Sequence, residues 1–152
     1  MFFRRRRHRT VAGRSSIYER IGGETVISTV LRVFYDKVYA HPWIGRYFSH
    51  NPRQHIVAQQ TLFMMKIMGG PDRFGDKTPA AIHAHIFITD ELFDLRASLL
   101  YNALCQCGVD DDIAREWMLL DGSFRRSVVK KSESQCRVEG GAGVVTFSNP
   151  LV

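Results

Sequence analysis

The sequence predicts an all-α domain, and three of its features support this fold class. Apolar residues recur every three or four positions in several long segments. Most of these segments begin with a residue type that caps helix N-termini, and several end at glycine. No convincing strand pattern occurs before Val138. Because a chain of 152 residues that is 45% hydrophobic can bury one core, we expect a single helical domain.

The first two predicted helices are separated by a glycine pair. Ser16 followed by Glu19 matches a capping box, which predicts a short first helix that the glycines at 22–23 end. A second helix is predicted from Glu24 to Ala40. Its inner face consists of Ile27, Leu31, Phe34, Tyr35 and Val38.

A third long helix is predicted after a compact turn with one short helix at 41–52. Asn51 and Pro52 are typical of an N-cap and a first helical position, and the helix then continues to Met68. The sequence "GGP" at 69–71 ends it. Its predicted buried stripe consists of Ile56, Phe63, Met64 and Ile67.

Thr78 and Pro79 again form a cap and first-position pair, which predicts a short helix that carries Ala80 to about His85. Residues 83 and 85 are both histidine, and on a helix two residues so spaced point in different directions. A strand would place both rings on one face, where they could share a metal ion. The predicted helix therefore argues against a metal site in which both histidines bind one ion.

The last two long helices follow. Thr89 caps a helix that is predicted to run to about Cys107 and to end at Gly108. A final helix is predicted over 111–131, with a stripe of Ile113, Trp117, Leu120, Phe124 and Val128. Residues 132–152 form a C-terminal tail, which the glycine-rich "EGGAG" predicts to be mobile. The tail segment "GVVTFSNP" could still form one short strand.

The net charge of +6 comes entirely from the first fourteen residues. That segment contains no acidic residue and six arginines, namely Arg4, Arg5, Arg6, Arg7, Arg9 and Arg14. The other residues, 15–152, therefore contain 15 basic and 15 acidic side chains. We expect 1–14 to be a disordered basic arm that could touch an anionic surface, and 15–131 to be the domain. Specific nucleic-acid binding is not expected, because the charge lies outside the domain.

The cysteines and the hydropathy favour the cytoplasm. Three cysteines without a CxxC pair predict neither a disulfide framework nor a zinc ribbon. No apolar run is long enough for a membrane span. The basic start lacks the apolar segment of a secretory signal.

Four polar residues on the predicted apolar faces need hydrogen-bond partners or ligands. Gln60 lies on the stripe of the third helix and Gln59 borders it, Tyr35 lies on the inner face of the second helix, and His83 is surrounded by small apolar residues. Each could simply be satisfied inside the core. Taken together, they describe a pocket with one imidazole, a phenol and carboxamides. An axial imidazole opposite hydrogen-bond donors is what a haem iron needs to bind a small diatomic ligand.

The chain resembles the truncated haemoglobins, and group I most closely. The segments that carry the resemblance are "SIYERIGGETVISTVLRVFYDKV", "RYFS", "QQTLFMMKIMGGP" and "IHAHIFITDELFD". The resemblance implies a two-over-two helical sandwich around haem b. It makes His83 the iron ligand, with Tyr35 and Gln60 as donors to the bound ligand and Gln59 at the border of the same space. It also implies apolar contacts to the haem from Phe48, Ile56, Phe63, Met64, Phe74, Ile88 and Phe93.

Arg96 departs from the family pattern, since this group usually has a small aliphatic residue there. Its cation could reach a haem propionate or enter the ligand pocket, or the alignment could slip by one turn. No role is carried over to His85, which we expect to be exposed. The implied function is reversible binding of O₂, NO and CO, with nitric oxide dioxygenase activity if a reductase re-reduces the iron. A gas sensor, a peroxidase-like protein and a haem-free helical domain are the alternatives.

Overall fold

Helices dominate the computed structural model, which describes residues 15–152. The helices are α1 (Ile17–Ile21), α2 (Gly23–Ala40), α3 (Arg53–Ile67), α4 (Pro79–Ile82), α5 (Asp90–Gln106), α6 (Asp111–Gly122) and α7 (Arg125–Val128). Two 3₁₀ helices lie at Ile44–Phe48 and Glu133–Gln135. Over residues 15–152 the only β-type pairings are two isolated bridges, Ile86 with Val145 and Ile88 with Val129. The all-α prediction is confirmed, whereas the predicted basic arm at 1–14 lies outside the described residues.

Three helix starts are set by the predicted side-chain caps. Ser16, Thr78 and Thr89 each accept a hydrogen bond from the backbone N–H three residues further on, at 3.2, 3.1 and 3.1 Å. Each bond satisfies an N–H that has no partner inside its helix. The start of α3 differs from the prediction, because Pro52 occupies the cap position and Asn51 lies before it.

The core forms where α2 packs against both α3 and α5, and α5 packs against α6. The pairs α2–α3 and α5–α6 make up the expected two-over-two sandwich. No helix within residues 15–152 combines the length and the apolar character needed to cross a membrane. The largest fully buried side chains are Trp117, Phe34, Ile27, Leu31, Met64, Met65, Leu100, Leu104, Val30 and Val38.

The glycine pair after α3 attaches α1 to the end of that helix. Gly69 has a φ of +85°, which a side chain would strain. A Cβ on Gly70 would lie 2.6 Å from the Tyr18 ring, so only glycine allows the ring to pack there. The Tyr18 N–H also donates to the Met68 carbonyl oxygen at 3.1 Å. The glycine pairs at 22–23 and 69–70 therefore both lie at the contact between α1 and the end of α3.

The predicted final helix is interrupted. It ends at Gly122, and a separate turn of helix, α7, begins at Arg125. Glycine is a poor helix former, and the next residue, Ser123, donates its hydroxyl to the Leu120 carbonyl oxygen at 2.6 Å. The apolar spacing continued through the break, so the prediction of one helix over 111–131 was wrong.

The C-terminal tail packs on the domain instead of extending away as a mobile segment. Val145 forms backbone hydrogen bonds to both sides of Ile86, donating to the His85 carbonyl and accepting from the Phe87 N–H, each at 2.9 Å. Further along, the Phe147 carbonyl accepts from the indole N–H of Trp43 at 2.7 Å. The tail thus connects the turn after α4 to the 3₁₀ helix at Ile44–Phe48.

The Phe147 ring is held by two side chains of that 3₁₀ helix. Tyr47 meets it edge-on with ring centroids 5.0 Å apart, and the Arg46 guanidinium lies 4.4 Å from its centroid. Such contacts contribute roughly 0.5–1.5 kcal/mol each. The ring is therefore the main side-chain anchor of the tail.

We expect Phe147→Ala to lower the free energy of unfolding by about 1–2 kcal/mol, because both ring contacts are lost. Urea unfolding of the purified protein measures this. Leu151→Ala is the matched control, since Leu151 is 66% exposed and its loss should cost less than about 0.5 kcal/mol. Equal effects of the two substitutions would show that the tail does not depend on the Phe147 anchor.

Candidate functional site

His83 lies at the end of α4 with one ring nitrogen already engaged. The helix stops at Ile82, so residues 83–85 form a turn, and the prediction that both histidines lie on the helix was wrong. Nδ1 of His83 lies 2.7 Å from the Pro79 carbonyl oxygen. Because a carbonyl can only accept, Nδ1 carries the proton in this bond. Nε2 of the neutral ring then keeps its lone pair, which is the form that binds a metal.

The surroundings of His83 favour the neutral imidazole. Burial lowers its pKa, the bond to Pro79 opposes this, and the charges of Arg96 and Lys130 lower the pKa further. His85, in contrast, is exposed, as expected. The two rings therefore occupy different environments, since His83 is half-buried with Nδ1 engaged and His85 is exposed.

Lys130 fixes the backbone of the same turn. Its ammonium donates to the carbonyl oxygens of His83 at 2.9 Å, Ile86 at 2.8 Å and Val128 at 3.1 Å. These three bonds use all the donors of the ammonium group. This role could not be predicted from the sequence, because a lysine after an apolar helix gives no local sign of which carbonyls it reaches.

Besides His83, a group of polar side chains lies in the core, where α2, α5 and α6 meet. Arg96 on α5 donates from Nη1 to Oδ1 of Asp121 on α6 at 2.6 Å. The Arg96 side chain is 24% exposed and that of Asp121 only 6%. Burial alone would lower the pKa of Arg96, but Asp121 and Tyr35 outweigh it and hold that pKa above its usual value. The guanidinium is therefore a permanent cation inside the domain.

Tyr35 on α2 belongs to the same group. It is 5% exposed, and its ring meets Phe48 edge-on with centroids 5.9 Å apart. Burial raises the pKa of Tyr35 to about 12, although the nearby Arg96 charge opposes the rise. The hydroxyl thus stays protonated at neutral pH and can act as a donor. Arg96 acts on the pKa values of both Tyr35 and His83, so the three side chains lie in one region.

Asp121 was not predicted as a site residue, although the sequence contained a sign of it. It follows Trp117 by four positions, and Trp117 is fully buried on the same helix face. A carboxylate inside an apolar stripe needs a partner. Arg96 is that partner, but the second carboxylate oxygen, Oδ2, is buried and has no hydrogen-bond partner among residues 15–152.

The face of helix α3 that packs on the core differs from the face that the apolar spacing of its sequence predicted. The buried residues are Val57, Thr61, Met64 and Met65, and Thr61 fits there because its hydroxyl donates to the Val57 carbonyl at 2.7 Å. Of the predicted stripe only Met64 is buried, and the other members, Ile56, Phe63 and Ile67, are half-buried. The helix is apolar on two sides, so spacing alone did not identify the core side.

The half-buried face of α3 carries the predicted glutamine. Gln60 is half-buried and lies four positions after Ile56, whereas Gln59 is exposed. On this face the Phe63 ring contacts Phe74 and Phe124, with centroids 5.2 and 5.4 Å apart. Gln60 thus lies with the predicted stripe residues, but the protein covers this face only partly instead of burying it.

The predicted apolar contact residues divide into two sets. Phe48, Ile56, Phe63, Phe74 and Ile88 are half-buried. Met64 and Phe93 are buried at 2% and 4% exposure. The Arg125 guanidinium lies 4.4 Å from the Phe93 ring centroid and covers one side of it. The first set thus offers apolar surface that a flat ligand could cover, and the second contributes to the packing behind it.

Known proteins of one family are similar to this chain in sequence. A family model described as "Bacterial-like globin" matches residues 16–125. A Group 1 truncated hemoglobin of Tetrahymena pyriformis is 30% identical over 101 residues, which cover 66% of this chain and 84% of the relative. A similar protein of Mycolicibacterium paratuberculosis is 29% identical over 102 residues, which cover 67% of this chain and 75% of that protein.

Solved structures of similar proteins share the fold. The truncated hemoglobin of Tetrahymena pyriformis in its Fe(III) form gives a TM-score of 0.71 at 27% identity, covering 77% of this chain and 100% of that one. The 2/2 hemoglobin of a Synechococcus species, in the cyanomet state with covalently attached heme, gives 0.69 at 29% identity, covering 76% and 98%. Residues 126–152, which include the C-terminal tail, lie outside the family match.

Because Arg96 and Asp121 are buried together, removing the carboxylate alone should destabilise the protein more than removing both charges. Asp121→Leu should lower the free energy of unfolding by about 3–5 kcal/mol, because it leaves the Arg96 charge buried without a partner. The double substitution Arg96→Leu/Asp121→Leu should cost clearly less than Asp121→Leu, since no charge is left unpaired. Urea unfolding of the purified variants measures both values.

Glu116→Leu is the control for this comparison. Glu116 pairs with Arg20 at 2.6 Å, but both side chains are substantially exposed, at 45% and 38%. Its loss should destabilise the protein far less than the loss of Asp121, because solvent screens an exposed pair. If Arg96→Leu/Asp121→Leu is no more stable than Asp121→Leu, the unpaired Arg96 charge is not the cause of the destabilisation.

Proposed function

Because this chain belongs to the bacterial-like globin family, as a truncated haemoglobin of group I, we propose that it reversibly binds O₂, NO and CO on the iron of haem b. Haem-based gas binding is the general property of that family. The assignment of individual residues of this chain to the site is our proposal. The observation that carries it is the half-buried His83 imidazole, whose Nδ1 bonds to the Pro79 carbonyl and so leaves the lone pair of Nε2 available.

The residues present would suit a flat apolar cofactor whose metal takes one nitrogen ligand from the protein. His83 would hold the iron through Nε2, and the Nδ1 bond to Pro79 would fix the orientation of the ring. Phe48, Ile56, Phe63, Phe74 and Ile88 supply half-buried apolar surface for the porphyrin. Met64, Phe93 and Arg96 are proposed to complete its surroundings. Haem b, when bound, supplies a ferrous iron with an open coordination position for the gas.

On the ligand side, the chain supplies hydrogen-bond donors. The Tyr35 hydroxyl stays protonated because burial raises its pKa, so it can donate to a ligand atom that gains negative charge. Gln60 lies on the half-buried face of α3, from which its carboxamide can support the same ligand. Gln59 is exposed and would act only at the border of the pocket. In a dry pocket each such bond slows ligand release about tenfold per 1.4 kcal/mol.

Tight retention of O₂ also supports a proposed nitric oxide dioxygenase activity. Nitric oxide, dioxygen and one electron together give nitrate, so turnover requires an electron donor. We propose an unidentified reductase in this role, and a reductase-coupled assay of nitric oxide consumption separates turnover from simple binding. We also propose a cytoplasmic location, because Cys105, Cys107 and Cys136 are free thiols.

His83→Ala should abolish stable haem incorporation, because the only proposed axial ligand is lost. His85→Ala is the matched control, since it removes an exposed imidazole two residues away and should leave haem content unchanged. The ratio of haem to protein, read from the absorption spectrum after purification with added haemin, measures both. Haem loss in the His85 variant alone would reverse the assignment.

Tyr35→Phe should speed O₂ release about tenfold or more, because one charge-stabilising donor is lost. Stopped-flow displacement of O₂ by carbon monoxide measures the rate. Tyr39→Phe provides the control, because the Tyr39 hydroxyl already donates to the Asn51 carbonyl at 2.7 Å. An unchanged O₂ release rate in Tyr35→Phe would remove Tyr35 from the ligand site.

A further inference from the structure

The turn at 83–88, which begins with His83, is bonded to the C-terminal part of the chain along its whole length. Five of its backbone carbonyl oxygens accept hydrogen bonds from residues 130–145, at 2.8–2.9 Å. The acceptors are the oxygens of His83, Ala84, His85, Ile86 and Ile88, and the donors belong to Lys130, Arg137 and Val145. Because a backbone polar group needs a partner once it leaves water, these bonds determine the shape of the turn.

Lys130 makes three of these five bonds. Its ammonium donates to the carbonyl oxygens of His83 and Ile86, and its own N–H donates to that of Ile88 at 2.8 Å. Lysine usually extends its ammonium into water, whereas partial burial here lowers the pKa of Lys130. This desolvation is costly, and the carbonyl oxygens offset the cost. The ammonium is thus used to hold the backbone on both sides of His85.

The same part of the chain reaches the other side of the proposed haem site. Phe147 packs on the 3₁₀ helix at Ile44–Phe48, where the Tyr47 hydroxyl accepts from its N–H at 3.1 Å and donates to its carbonyl oxygen at 3.2 Å. The next residue of that helix, Phe48, is a proposed haem contact and meets the Tyr35 ring edge-on. One stretch of chain therefore contacts both the turn of the iron ligand and the helix that supports the ligand donor.

A glycine-rich loop separates the two halves of this stretch. Gly140 and Gly141 have φ values of +64° and +78°, and a Cβ on either would have no atom within 4 Å. The loop thus stands clear of the domain at these positions. The tail beyond it is held by its own contacts, those of Val145 and Phe147.

We propose that residues 129–147 form a clamp that positions His83 against the haem iron, with Lys130 as its main positioning residue. The inference rests on the proposed haem function and extends the haem site to a part of the chain beyond the family match at 16–125. Lys130 acts on the iron through the backbone of His83. Because coupling between two binding events is reciprocal, binding of haem at His83 also strengthens the docking of the clamp.

Lys130→Met removes the ammonium donors and nearly preserves the length of the side chain. The carbonyl oxygens of His83 and Ile86 lose this partner, so the turn should loosen. We expect the ferric holoprotein to release haem to an excess of apomyoglobin about tenfold faster or more. In the resonance Raman spectrum of the reduced, gas-free protein, the iron–histidine stretching band should shift to lower wavenumber. A general loss of stability would speed haem release but would not move this band.

A chain that ends at residue 143 provides the second variant, because it removes the docked tail and leaves Lys130 in place. It should shift the band in the same direction, and it tests the clamp even if Lys130→Met fails to fold. Lys131→Met is the matched control, since Lys131 is 79% exposed and pairs with Asp90 at 2.8 Å on the surface. Its haem release and its band should stay at the wild-type values.

Trypsin measures the docking of the clamp without the haem spectrum. It cleaves after Arg137, whose N–H donates to the Ala84 carbonyl oxygen at 2.8 Å. In the wild type, loading with haem should slow the release of peptide 138–152 about tenfold, because the bound cofactor favours the docked clamp. Mass spectrometry of the digest follows this peptide. In Lys130→Met the protection by haem should be clearly smaller.

An unmoved iron–histidine band in both Lys130→Met and the shortened chain would overturn the inference, whether or not haem release becomes faster. Equal cleavage after Arg137 in the wild-type apoprotein and holoprotein would also overturn it. Either result in a protein that takes up haem on His83 disproves the clamp alone. A wild-type protein that takes up no haem, or whose reduced form lacks an iron–histidine band, disproves the proposed function instead.

Discussion

The hydrogen bond from Nδ1 of His83 to the Pro79 carbonyl determines which ring nitrogen remains available, and several other features of the structure hold it in place. Thr78 and Pro79 start α4, so that the Pro79 carbonyl lies at the correct distance from residue 83. Lys130 ties down the carbonyl of His83 itself. The tail residue Val145 bonds to the backbone on both sides of Ile86. A turn of only a few residues is thus fixed from three parts of the chain.

Beyond this turn, the core contains a charged pair where a globular domain normally places apolar side chains. Moving two charges out of water costs several kcal/mol per ion, which their mutual attraction offsets only partly. The pair of Arg96 and Asp121 therefore adds little net stability, although loss of Asp121 alone would be costly. Its neighbours are Tyr35 and Phe34, which line the same region.

Local features of the fold could be predicted from the sequence, and long-range partners could not. The caps at Ser16, Thr78 and Thr89 depend on residues three positions apart, so the sequence alone identified these helix starts. The break after Gly122 was missed because the apolar spacing continued across it. The core side of α3 was missed because that helix is apolar on two sides. His83 and Tyr35 stand out in the sequence as polar residues on apolar helix faces, and the family resemblance gave them their proposed roles. The contacts of Lys130, Asp121 and Phe147, in contrast, join residues that are distant in the sequence.

The central claim is that this helical domain holds one haem on His83 with an open position for a gas. The most direct measurement is the absorption spectrum of the purified protein during titration with haemin, followed by reduction and addition of carbon monoxide. We expect a Soret band that saturates at one haem per chain and shifts when carbon monoxide is added to the reduced protein. A titration that yields only the spectrum of free haemin, or a reduced haem complex that does not respond to carbon monoxide, would contradict it.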